Sequence, residues 1–384
     1  MHATARIRNA VSPGLTSLLL ALAILCGCDT GKKESEAPAP EPAADPPKQE
    51  EPAPEFTKSV QLYGSGASSP HPIFSQWFKN FTDRYKTVTI DYHAKGSSAG
   101  VLDFIHDVVN FAGSDAAMTD EEMAQATHGL VLLPVTAGKI VLAFNLPGVE
   151  ELYMPRKVYT KIFLGEITKW NDPQIAAANP DIDLPDLDIT LVTRSDASGT
   201  SYVFTGHLSA ISEEFRNKVG PAITPSWPSE ANIIKAPKND GVSARISQKP
   251  GAIGYLNYGY AKLTGLPVAK LENRAGTYID PGLHTGAAAL VGISFPNDTL
   301  PASEVPDLVA WTWDPEDVQA YPITNFSWLI IPTEHDNSYE AEALNLLVNY
   351  MLSDEAQALA DELGYIPLPE EIRAKAREAA KYIR

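Results

Sequence analysis

Three short runs place small residues and hydroxyls immediately before a stretch of helical spacing: Gly64-Ser-Gly-Ala-Ser-Ser-Pro70, Gly96-Ser-Ser-Ala-Gly100 and Arg194-Ser-Asp-Ala-Ser-Gly-Thr200. The first-turn N–H groups of a helix lack intrahelical acceptors and sit at the positive end of its dipole. Glycine lets backbone approach a ligand closely, and serine or threonine adds hydroxyl donors. Three such turns converging would surround a tetrahedral oxyanion. Each turn alone reads equally as an ordinary serine N-cap. The first lacks the third glycine of a dinucleotide fingerprint, and no Gly-Lys-Ser/Thr follows to make a P-loop.

Two further residue types give the set its chemistry. Arg194 offers a planar fork suited to a pair of ligand oxygens. Asp196 lies close enough to orient that guanidinium, with a surface ion pair as the plain alternative. Asp115, at the end of Phe111-Ala-Gly-Ser-Asp115, puts a carboxylate where an anion would bind. Monohydrogen phosphate has a proton to give such an acceptor and sulfate at neutral pH has none, so one acceptor among many donors discriminates by repelling the wrong anion.

The elements around these residues alternate. Ser59-Val-Gln-Leu-Tyr63 is strand-like and leads to apolar residues at helical spacing from Ile73 to Tyr85. Val88–Tyr92 leads to Val101, Phe104, Ile105 and Val108, and Asp188–Val192 leads to Tyr202, Val203 and Leu208. Strand-turn-helix units of this kind predict α/β architecture with mainly parallel sheets and ligands at the carboxyl ends of the strands. At 384 residues two domains are expected. The apolar segments Lys139–Asn145 and Ala252–Tyr260 are the expected crossings between them, giving one domain from 58–138 plus 262–384 and another from 139–261. A single long helix is expected over Tyr339–Leu363.

The front of the chain reads differently. Arg6 and Arg8 precede an apolar run, Leu15–Leu25, too short to span a bilayer of roughly 30 Å but right for a signal-peptide core. Leu25-Cys-Gly-Cys28 looks like a bacterial lipobox, predicting a signal peptide over 1–27 and acylation of Cys28; an uncleaved anchor helix is the alternative. Residues 28–57 are rich in Glu, Ala and Pro, with seven prolines between Pro38 and Pro54, and predict an extended tether. The only cysteines are Cys26 and Cys28, so the mature chain would have no thiol for disulfide, metal or nucleophilic work. A formal charge of −18, or −20 after cleavage, argues against nucleic acid. The eight histidines show no metal-ligand spacing, and Asp-Ala-Ser198-Gly-Thr lacks the nucleophile-elbow pattern of a serine hydrolase.

Taken with Lys238-Asn-Asp-Gly, Pro250-Gly-Ala-Ile-Gly-Tyr and Tyr321-Pro-Ile-Thr, these motifs resemble, over residues 58–384, the phosphate-binding component of the high-affinity phosphate ABC transporter. The resemblance implies a two-domain periplasmic-binding-protein fold joined by a two-strand hinge. It implies a monomer without cofactor, metal or catalytic residues, held at the cell envelope by its lipid and delivering inorganic phosphate to permease subunits. The implied phosphate ligands are Ser68, Ser69, Ser97, Asp115, Arg194, Ser198, Gly199 and Thr200. Where the family commonly has Thr-Phe, this chain has Ser68-Ser69; Ser68 keeps the hydroxyl and position 69 would act through its N–H. A sulfate or molybdate binder on the same scaffold, a Ser198 hydrolase and a phosphate-cued signalling module are the competing expectations.

Overall fold

The computed structural model describes residues 56–296 and 305–384. Cys26, Cys28, the expected signal peptide and nearly all of the expected tether lie outside those residues. The described residues belong to one compact unit. Among the described residues no helix is long and apolar enough to cross a membrane.

Among the described residues there are eleven strands: β1 Val60–Gly66, β2 Val88–Ala94, β3 Phe111–Ser114, β4 Val131–Asn145, β5 Tyr153–Met154, β6 Thr190–Arg194, β7 Ile233–Ala236, β8 Ala252–Asn257, β9 Lys270–Glu272, β10 Tyr278–Ile279 and β11 Thr324–Ile331. Eight of them make one sheet in the order β2-β1-β3-β11-β4-β8-β6-β7, and β10-β9-β5 make a small second sheet. The strands that feed the glycine-serine turns pair in parallel: β1 with β2 and β3, and β6 with β7 and β8. Strand β11 runs antiparallel to β3 and β4, and β4 antiparallel to β8. The class is thus the expected mixed α/β one.

Two hydrophobic cores flank the sheet. The first gathers β1 to β3, the Ile73–Phe81 face of helix His71–Arg84, the start of β4, β11 from Phe326 onward and the C-terminal helices. The second gathers the rest of β4, β6 and β8, with Trp170, Phe204, Phe215, Leu271 and Ile279. Strand β4 changes core between Ala137 and Ile140. Its partner β11 lies beside that point, Thr324 opposite Lys139 and Asn325 opposite Gly138. On the expected second crossing, Ala252, Ile253, Tyr255, Leu256 and Tyr260 pack in the second core, as do Ala269, Leu271 and Ile279 beyond the expected limit at 261.

The helix expected over Tyr339–Leu363 is two helices, Ser338–Met351 and Asp354–Glu362. Ser353 between them is extended, and its hydroxyl accepts the Ala356 N–H at 3.2 Å. A serine with acidic residues following it starts a new helix more readily than it continues an old one.

Candidate functional site

The expected phosphate ligands lie at or just beyond the ends of β1, β2, β3 and β6. Strand β1 ends at Gly66, and Ala67-Ser68-Ser69-Pro70 turns into the helix beginning at His71. Strand β2 leads through Gly96 into the helix Ser97–Ile105, which has no side-chain cap. Strand β3 stops at Ser114, just before Asp115. Strand β6 ends at Arg194, and the helix Gly199–Ile211 follows the Ser198 cap.

These ends meet. Gly199 lies so close to the second turn that a Cβ there would fall 2.4 Å from Ser97 Oγ and 2.8 Å from Asp115 Cβ. Gly96, at φ 104°, would place a Cβ 2.8 Å from Asp196 Oδ2. Only glycine permits that approach at either place, so the turns around the first core close directly on the turn at the edge of the second. Ser68, Ser69, Ser97, Asp115, Arg194, Ser198, Gly199 and Thr200 are all buried.

The donors are held in place by bonds that leave their ligand-facing groups free. Ser198 Oγ accepts the Ser201 N–H at 3.1 Å, so the Gly199 and Thr200 N–H groups ahead of it have no acceptor within the helix. Ser97 Oγ accepts the Asp115 N–H at 3.2 Å, linking the second turn to the end of β3. Ser69 Oγ is buried without a well-formed hydrogen-bond partner.

Three tyrosine hydroxyls grip consecutive carbonyls of the first turn. Tyr92 donates to Ala67 O at 2.9 Å, Tyr260 to Ser68 O at 2.8 Å and Tyr365 to Ser69 O at 2.6 Å. A peptide group points its C=O and its N–H in opposite directions, so pinning the carbonyls orients the amides that follow them. Burial pushes all three phenols up from their ordinary range, which keeps them protonated as donors.

The charges are equally constrained. Arg194 donates to both oxygens of Asp196, Nε to Oδ1 at 2.9 Å and Nη2 to Oδ2 at 2.5 Å, while Nη1 reaches Thr200 Oγ1 at 3.2 Å. Burial alone would raise the Asp196 carboxyl, but the Arg194 fork and the Lys238 N–H more than offset it and hold it below its usual range. Burial pushes the Asp115 carboxyl up to about 6, opposed by the Ser327 hydroxyl, the charge of Arg194 and the Ser69 hydroxyl. Ser327 Oγ donates to Asp115 Oδ1 at 2.6 Å.

What this cluster can do is bind one small oxyanion, with many donors, one guanidinium and one acceptor. Its electrostatics favour an anion that itself carries a proton. Among the described residues no group of three or more His, Cys, Asp or Glu side chains could hold a metal ion.

The model of a PBP superfamily domain matches residues 43–355. Over 323 residues the chain is 32% identical to the phosphate-binding protein PstS of Xylella fastidiosa, covering 83% of this chain and 84% of that protein. This chain belongs to the PstS family of phosphate-binding proteins. The PstS of Methanocaldococcus jannaschii is 31% identical over 334 residues, covering 83% and 85% of the two chains. Among solved structures, a high-affinity periplasmic phosphate-binding protein, PfluDING, bound with phosphate, superimposes with a TM-score of 0.67 at 20% identity, over 83% of this chain and 93% of that one. At that identity the likeness shows the shared fold.

Several residues that build this cluster carried no recognised role in the sequence. Asn239, Tyr260, Tyr365 and Ser327 reach it from 171, 192, 296 and 212 residues away from their partners. Asn239 lay inside a motif that marked the family, Lys238-Asn-Asp-Gly, and nothing in that run marked what it touches.

Proposed function

We propose that this chain captures inorganic phosphate outside the cytoplasm and delivers it to an ABC permease for import. The observation that carries this is the convergence of two sets of polar groups on one buried point: the donors Ser68, Ser69 and Ser97 with the acceptor Asp115 at strand ends around the first core, and the donors Arg194, Ser198, Gly199 and Thr200 at the edge of the second. Each charge-assisted hydrogen bond contributes roughly 1.5–3 kcal/mol. Several together reach about −8 kcal/mol, a micromolar dissociation constant. The relatives' names, as phosphate-binding proteins, fit the single carboxylate among the donors.

In this reading Asp115 Oδ2 accepts the phosphate proton, Arg194 engages a pair of oxygens and Asp196 holds the guanidinium in its plane. Ser198 serves as a ligand and helix cap rather than as a nucleophile, since its oxygen is occupied by the Ser201 N–H. The two cores act as lobes joined at Gly138 and Asn325 on β4 and β11, and phosphate draws them together. The chain works as a monomer, acylated at Cys28 and tethered by residues 28–57 on a membrane surface facing the periplasm or exterior. Calorimetric titration of phosphate and sulfate, with small-angle scattering before and after, tests the assignment. One phosphate bound with a more compact particle is expected; no phosphate binding, or sulfate bound as tightly, refutes it.

A further inference from the structure

The side chain of Asn239 is completely buried, and both its oxygen and its nitrogen are hydrogen-bonded. Its Oδ1 accepts the Asn257 N–H at 2.9 Å, which fixes which end of the amide is oxygen. Its Nδ2 therefore faces the site, donating to Ser68 Oγ at 3.0 Å and to Thr200 Oγ1 at 3.3 Å. Its backbone N–H also donates to Ser68 Oγ, at 3.3 Å.

A hydroxyl has two acceptor lone pairs and one proton. Ser68 Oγ receives two donors from Asn239, so both lone pairs are taken and only its proton remains to be placed. Thr200 Oγ1 receives Asn239 Nδ2 and Arg194 Nη1, with the same consequence. We propose that Asn239 is a positioning residue that sets the polarity of two hydroxyls, turning Ser68 and Thr200 into obligatory donors toward the bound oxyanion. One amide thereby couples a turn of the first lobe to a turn of the second, and does so only when the lobes are together. Its own placement is tied to the arginine: the preceding Lys238, held at φ 57°, gives its N–H to Asp196 Oδ1 at 2.9 Å.

The inference rests on the phosphate reading, and the experiment separates the two. Phosphate is titrated into the full-length protein, wild type, Asn239→Ala and Asn239→Asp, and each melting temperature is recorded without phosphate. Wild type that fails to bind phosphate refutes the functional reading itself. With wild-type binding established, asparagine to aspartate is nearly isosteric but replaces a donor by an acceptor, so Ser68 and Thr200 would turn their protons to the new carboxylate. Two ligand hydrogen bonds lost at about tenfold each predict Asn239→Asp weaker by roughly 100-fold. Asn239→Ala leaves both hydroxyls free to rotate and should be clearly less impaired than Asn239→Asp. A residue that merely filled space would reverse that order, because alanine removes more volume; equal losses or the reversed order overturn the proposal. If Asn239→Asp is too unstable to titrate, Ser68→Ala, Asn239→Ala and their double variant decide. Losses clearly below additive support the coupling, and strictly additive losses overturn it.

Discussion

Replacing Asp115 by asparagine removes one negative charge from the site and leaves its shape almost unchanged. The residue is 1% exposed, and burial pushes its carboxyl from 3.8 up to about 6. Its folded pKa thus lies above its unfolded one, so its favourable contribution is complete below about pH 4 and is lost as pH rises through 6. A shift of about two units, at 1.36 kcal/mol each, corresponds to about 3 kcal/mol at pH 7. The asparagine variant carries no such charge. Its unfolding free energy without phosphate should match the wild type near pH 4 and exceed it by about 3 kcal/mol above pH 6, measured by urea unfolding across that range. Binding should change in the opposite sense for selectivity. Ser327 Oγ donates to Oδ1 at 2.6 Å and holds a carbonyl oxygen there, so the amide NH₂ takes the place of Oδ2. Sulfate would meet a donor in place of a carboxylate and should bind at least about tenfold more tightly. Phosphate can turn an ionised oxygen to the same amide and should change less. A stability difference that is flat with pH, or sulfate binding that stays undetectable, would refute this account and leave Asp115 as a brace for its loop.

The other predictions are more direct. Arg194→Ala should weaken phosphate and sulfate alike, by more than about 100-fold in titration, and should lower stability by about 3–5 kcal/mol because Asp196 loses its partner. Gly199→Ala should preserve the melting temperature of the unliganded protein but cost most of the phosphate affinity, since its Cβ would meet Ser97 Oγ at 2.4 Å when the turns converge; unchanged affinity in calorimetry would contradict the convergence. Residues 58–384 alone should bind phosphate and gain about 4 kcal/mol of stability at 1 mM phosphate if the dissociation constant is near micromolar, read as a rise in melting temperature. His207, pushed down to about 4 by burial, has a folded pKa below its unfolded one, so it destabilises progressively as pH falls from 6.5 to 4; His207→Gln should flatten that part of the profile in urea unfolding.

The strand ends and their turns were legible because their residue types are dictated locally. A helix start that must leave N–H groups open needs small residues and hydroxyls in consecutive positions, and Gly96-Ser97 and Ser198-Gly199-Thr200 supply them within a few residues. The pairing at the point where β4 changes core was not legible. Strand β4 is buried along nearly all its length despite Thr136 and Lys139, β8 is buried throughout, and hydrophobicity alone cannot tell a strand that spans two cores from one that stays within the second. At that point β4 pairs with β11, Asn325 opposite Gly138, a pairing of residues 187 positions apart that no local pattern encodes. The same limit hid the roles of Tyr260 and Tyr365, whose hydroxyls reach the first turn from 192 and 296 residues away.

Those tyrosines bear on why so acidic a chain can hold an anion at all. The net charge of −18 acts from a distance and is screened within about 8 Å at physiological salt. Inside the site the sign is set by dipoles that cannot rotate away. Tyr92, Tyr260 and Tyr365 occupy the Ala67, Ser68 and Ser69 carbonyls, and Asn239 occupies the lone pairs of the Ser68 hydroxyl. The negative ends of the first turn are thereby satisfied by protein, and its positive ends are left for the ligand. In water the same groups would present either end, and the preference for an anion would average away. Neutral donors held in one orientation act like fixed positive charge without the cost of burying one. That leaves Asp115, moderated by the Ser327 hydroxyl and the charge of Arg194, as a buried carboxylate in a field otherwise built from donors, and in the proposed reading a single proton on the ligand then decides whether it binds.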